Sequence, residues 1–149
     1  MKVKDLLDDC SGSLHTLEKG QSVGQALKLM SSYNVSAVVV VEKKASLGIF
    51  TERDLVRCHI LFPEQKMDTI LVNEVMTTRL IVAEPEDTTE DAMGMMIKAG
   101  IRHLPVVKNG EIMGILSLTD LVKKHVGALN QELHYLKDYI SDLQDAAHD

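Results

Sequence analysis

Between residues 14 and 57 the chain alternates short β-branched runs with stretches of helical period, and between 80 and 123 it does so again. "LHTL" (14–17) and "LIVA" (80–83) have the composition of short strands. Val23, Ala26, Leu27 and Met30 then fall at i, i+3, i+4 and i+7, one face of an amphipathic helix, and Ser22 followed by Gln25 has the pattern of a capping box at its start. "AVVVV" (37–41) and "HLPVV" (103–107) predict strands buried on both faces. The turns "EKKAS" and "KNGE" lead to a third strand, "LGIF" or "MGIL", and "TERDLVR" or "SLTDLVK" closes each unit as a capped helix. The expected class is α/β (α+β). Each unit is β-α-β-β-α, with a sheet its own helices cannot cover, so two units packed sheet to sheet would bury both faces.

The two units are copies. Shifted by 66 residues, 14–57 aligns with 80–123 without a gap, and 11 of the 44 positions are identical, where chance gives about three, so the chain contains an internal duplication. After Lys124 the period changes. Val126, Leu129, Leu133, Leu136, Ile140, Leu143 and Ala147 step alternately by three and four, an a/d seam flanked by charged residues. A stripe that narrow suits a partner helix of a second chain, and packing on the chain's own surface is the alternative.

Composition narrows the classes. The net charge of −6 argues against a protein that coats nucleic acid. No apolar run approaches the roughly 18–20 residues of a membrane span, and "MKVKDLLDDCSGS" has no apolar stretch of secretory type, so a cytoplasmic protein is expected. Cys10 and Cys58 form no C-x-x-C pair and read as reduced thiols, and six histidines show no metal-ligand spacing. Aromatic residues are 3% of the chain, so any pocket must be lined by aliphatic side chains, methionine and backbone.

The octamers "GIFTERDL" (48–55) and "GILSLTDL" (114–121) carry the candidate chemistry. Thr51 and Ser117 fall where an N-cap belongs, beside the free amides and positive end of a helix. Gly48 and Gly114 would let a ligand approach the backbone. Asp54 and Asp120 sit in the first helical turn, where a carboxylate can accept both hydroxyls of a ribose diol. Thr-x-x-Asp and Ser-x-x-Asp also simply cap helices; their recurrence at equivalent places favours a site.

With "IRHLPVV" (101–107) and "EVMT" (74–77) beside them, these octamers resemble the G-h-x-[ST]-x-x-D signature of tandem cystathionine β-synthase (CBS) domain pairs, or Bateman modules. The resemblance covers roughly residues 1–125 and implies a first repeat with the N-terminal segment over 1–67, a second over 68–125 and a C-terminal dimerisation helix over 126–149. It implies a sensor of adenosyl ligands, not an enzyme. Each cleft would be built across the pseudo-twofold. The first would join Thr51, Arg53 and Asp54 to Met76, Ile81, Ile101, Arg102 and His103, and the second Ser117, Thr119 and Asp120 to His15, Val35, Ser36 and Ala37. Arg53, Arg102 and His103 supply cations for a phosphate in the first cleft. The expected regulatory ligand is an adenine nucleotide, AMP ahead of NADH or ATP, in a homodimer acting on a protein in trans, with neither nucleic acid nor membrane as partner. The alternative is a ligand-free dimeric adaptor.

Overall fold

The computed structural model describes residues 1–10 and 14–148, and the side chains of Asp8, Asp9, Cys10, Ala147 and His148 lie outside that description. In chain order the elements are α1 (Val3–Cys10), β1 (Thr16–Glu18), α2 (Val23–Tyr33), β2 (Ala37–Glu42), β3 (Ala45–Thr51), α3 (Glu52–Leu61), a 3-10 turn (Met67–Thr69), α4 (Val72–Val75), α5 (Thr89–Ala99), β4 (His103–Lys108), β5 (Glu111–Ser117) and α6 (Leu118–His148). The capping box is formed: Ser22 accepts from the Gln25 amide at 3.1 Å while the Gln25 side chain accepts from the Ser22 amide at 2.9 Å.

The run of valines in β2 is buried on both faces because each face meets a different layer. Val38 and Val40 pack with Phe50, Ala26 and Met30 in the first copy's own core. Val39 and Val41 point the other way, with Ile49, onto Ile112 and the half-buried Val107 and Ile115 of the second copy. The sheet-to-sheet arrangement expected from the sequence is therefore the one observed. A third cluster, Leu104, Val106, Met96, Leu116 and Leu121, forms the core of the second copy.

The copies are not equal in their sheets. β1 runs parallel to β2 through three residue pairs, and β2 is antiparallel to β3. In the second copy β4 and β5 pair in the same way, with the same bulge, at Val106/Val107 as at Val40/Val41. The expected strand over 80–83 shrinks to a single bridge, Ala83 to Val106. Proline explains the loss. The Val39 amide donates to the His15 carbonyl at 2.9 Å, and the residue equivalent to Val39 is Pro105, which has no N–H to give.

Packing crosses the boundaries between the expected units. α1 precedes the first copy in sequence, and its Val3 and Leu6 are fully buried in the core of the second. Lys2 and Lys4 both reach Glu86, at 2.7 and 3.0 Å, and these ammonium bonds hold the Glu86 carboxyl at about 2. The division at 125/126 is crossed without a break by α6, so the closing helix of the second copy and the tail are one element.

Each hairpin turns through two residues with positive φ. In the second copy these are Asn109 (54°) and Gly110 (80°), a pair suited to the left-handed region; in the first they are Lys43 (48°) and Lys44 (70°). The strain of two side-chain-bearing residues is avoidable. The double substitution Lys43→Asn/Lys44→Gly should stabilise the fold by about 1 kcal/mol, read as a shift in the urea midpoint without a change in slope. An unchanged or lower midpoint would mean the lysines contribute more than their backbone costs.

Candidate functional site

The two equivalent aspartates lie in different surroundings. Thr51 caps α3, accepting from the Arg53 amide at 3.3 Å, and Asp54 returns the bond by accepting from the Thr51 amide at 2.9 Å. The other Asp54 oxygen accepts from the Thr77 hydroxyl at 2.6 Å and from the Arg57 guanidinium at 3.0 Å. Arg57 also donates to the Val75 carbonyl. The Asp54 side chain is 3% exposed. The backbone of Thr77 pairs with Ile49 in both directions, at 2.8 and 3.0 Å, along the open edge of β3. A Cβ on Gly48 would stand 2.5 Å from the Thr77 carbonyl. The close approach that this glycine permits is therefore taken by the chain's own backbone, and the diol acceptor of the expected first cleft is occupied by the chain's own hydroxyl and guanidinium.

The other residues assigned to that cleft disperse. Arg53 donates at 2.8 Å to the carbonyl of Gly100, the left-handed cap of α5, where a cation also meets the negative helix end. Ile81 is exposed, Ile101 packs on the second copy's core, and Met76 packs on the first. Arg102 and His103 line the second cleft instead, which corrects their assignment. Both follow from the fold: residues 36–37 and 102–103 begin the two equivalent strands, which meet across the pseudo-twofold.

The second cleft is a cavity of about 460 Å³, within the range of small-molecule sites. It gathers Ser117, Thr119 and Asp120 from the start of α6, Val35, Ser36 and Ala37 from the approach to β2, and His15 before β1. Arg102 and His103 from the start of β4 complete it, with Glu52, Asn34 and Leu7, which sequence reasoning missed. Ser117 accepts from the Asp120 amide at 3.1 Å, as an N-cap should. The three bonds that hold the Asp54 carboxylate have no counterpart at Asp120 among the described residues. His15 stacks on Tyr33 with ring centroids 4.3 Å apart.

Ser36 Oγ lies 2.7 Å from His103 Nε2. Burial lowers the pKa of His103 below the ordinary histidine range; Glu52 opposes this and Arg102 adds to it. The imidazole is therefore neutral at pH 7, and the fixed cation in the cavity is Arg102. Leu7 was legible in principle, since Val3, Leu6 and Leu7 share one helical face. Arg57, one turn beyond Asp54, was the unread sign that this aspartate has an internal partner.

The contrast gives a test. Asp54→Ala should destabilise the fold by about 2–3 kcal/mol, because it strands a hydroxyl, an amide and a guanidinium, whereas Asp120→Ala should cost under about 0.5 kcal/mol. Urea unfolding of the two variants distinguishes them, and equal costs would mean the Asp54 network is not what closes the first cleft.

Comparison with known proteins identifies the family and the fold. The family model described as CBS domain matches residues 3–60 and 72–127. A mitochondrial CBS domain-containing protein of Arabidopsis thaliana is 37% identical over 124 residues, 80% of this chain and 60% of the relative, so the chain spans less than two thirds of that relative's length. The crystal structure of a CBS-domain containing protein from Agrobacterium tumefaciens superposes with a TM-score of 0.76 at 34% identity, over 83% of this chain and 98% of that one. The fold is shared as well with a CBS domain pair solved in complex with 5′-methylthioadenosine and S-adenosyl-L-methionine, with a TM-score of 0.73 at 23% identity, over 86% and 98% of the two chains.

Proposed function

The chain belongs to the CBS domain family, and on that premise we propose that it senses an adenine nucleotide, AMP ahead of NADH or ATP, in the cavity bordered by Asp120. CBS domain pairs are regulatory modules, and the proposed role here is to pass occupancy to a protein regulated in trans, with no catalysis by the chain itself. No helix among the described residues is long and apolar enough to cross a membrane. The same reading makes the chain a homodimer joined through the apolar seam of α6.

One observation carries the proposal. A single cavity collects from both copies a carboxylate at a helix start, hydroxyls from Ser36 and Ser117, and the cation Arg102. Asp120 would accept the ribose diol. Arg102 would hold the phosphate with bidentate, charge-assisted bonds, helped by Ser36 and by the amides at the start of α6. Backbone at Val35 and Ala37 would read the adenine edge, and the His15–Tyr33 stack borders the site with a flat surface. A domain pair of the same fold has been solved with two adenosyl ligands, which supports the ligand class. The internal bonds of Asp54 favour one nucleotide per chain.

Calorimetric titration with AMP should give one site per chain. Asp120→Ala should weaken it by about 10- to 100-fold, and Arg102→Ala should remove most of the preference for AMP over adenosine. Two sites per chain, or an undiminished affinity in Asp120→Ala, would overturn the site; no binding by AMP, NADH or ATP would leave the ligand-free adaptor as the better reading.

The pH dependence has a definite sign. His103 starts neutral, and a bound phosphate dianion would raise its pKa, so AMP binding should take up protons and strengthen as pH falls through the raised value of the bound state towards the lowered value of the free one. Protonation of the phosphate itself, near pH 6, acts against this. His103→Ala should therefore lose affinity on acidification relative to wild type. Identical pH profiles for the two proteins would remove His103 from the phosphate site.

A further inference from the structure

The seam of α6 specifies the orientation of its partner as well as its presence. Val126, Leu133 and Ile140 occupy one set of alternate positions and Leu129, Leu136 and Leu143 the other, all between 45% and 57% exposed in the single chain. Leucine at every d position, with valine and isoleucine at two of three a positions, is the preference of two-stranded parallel coiled coils. The flanks point the same way. Glu132 falls at g and Lys137 at e of the next heptad, and among the described residues neither has an ion-pair partner. In a parallel pair g faces e of the following heptad on the other helix, so Glu132 meets Lys137 of the partner subunit twice, once on each side. In an antiparallel pair the a position of one helix faces a d position of the other, Val126 opposite Leu143, which sets Glu132 against Tyr139 and Lys137 against Asn130. That arrangement leaves both charges unmatched.

We propose that α6 pairs with the α6 of a second copy as a parallel, in-register coiled coil clamped by reciprocal Glu132–Lys137 bridges. The inference rests on the tail pairing of the reading above and adds its direction. Because Ser117 and Asp120 begin the same helix, a parallel coil puts both nucleotide cavities of the dimer at its N-terminal end, beside each other rather than at opposite poles.

Orientation is read by cross-linking the full chain. Leu143→Cys should form a disulfide-linked dimer under mild oxidation, well above the background of wild type with its native Cys10 and Cys58, because the two introduced thiols face each other. In an antiparallel pair those residues stand about 25 Å apart along the axis, and only a mixture of Val126→Cys and Leu143→Cys chains would cross-link. Sedimentation reads the bridges: Lys137→Glu should weaken the dimer by about 3- to 30-fold, and Glu132→Lys/Lys137→Glu should restore it. Cross-linking confined to the mixture, or a charge reversal that the double variant fails to rescue, overturns the parallel coil while leaving the dimer. A chain that sediments as a monomer at tens of micromolar overturns the coil and the tail pairing together, with nucleotide binding untouched by either result.

Discussion

Each copy builds a sheet with two apolar faces and has helices for only one of them. Val39, Val41 and Ile49 are exposed by the geometry of their own unit, and Val107, Ile112 and Ile115 by that of the other, until the two sets meet. At about 25 cal/mol per Å² of apolar surface, a single copy would leave in water several side chains each worth roughly 1.5–3 kcal/mol when buried. The duplication is therefore a condition of folding before it is a condition of binding. The cleft inherits its position from that contact. Strands that meet across a pseudo-twofold bring their first residues, 36–37 and 102–103, to a common place.

A shared motif did not produce equivalent sites. The first copy is followed by a link whose Thr77 can turn back onto the β3 edge, hydrogen-bond Ile49 and hand its hydroxyl to Asp54. Arg57 completes that network; its equivalent in the second copy is Lys123, which makes no matching bond at Asp120 among the described residues. One guanidinium, able to serve a carboxylate and a carbonyl together, separates a buried structural aspartate from one that borders a cavity. The same motif thus does two jobs: it locks the edge of one sheet and leaves an acceptor beside an open space in the other.

Most of the fold was legible because its signals are local. The capping box at Ser22, the both-face burial of β2 and the Asn109–Gly110 turn all follow from residue type and spacing, and each is found where expected. The losses came where a single residue changes a non-local partner. Pro105 reads as a tolerable strand residue, but its missing N–H costs the neighbouring segment 80–83 its strand, an effect that depends on what lies beside it in space. Arg102 and His103 were assigned by analogy to the wrong cleft because residues near a pseudo-twofold axis border both halves, and sequence order does not say which side a side chain takes. The place of α1 was hidden for a related reason: its apolar face is visible, but the core it fills lies some 80 residues away.

The continuity of α6 ties these observations together. Its first turn carries Ser117 as cap and Asp120 at the cavity, its second buries Leu121 in the core, and from Val126 onward the same rod presents the seam. An α-helix rises 1.5 Å per residue, so the cavity residue and the seam lie on one continuous rod. The exposed Val56 and Ile60 of α3 stand at positions equivalent to Val122 and Val126 of α6, yet α3 stops at Leu61 while α6 runs on for six more turns. Duplication gave both copies the same short outward stripe. Only the copy whose aspartate borders the open cavity extends that stripe into a helix long enough to engage another chain.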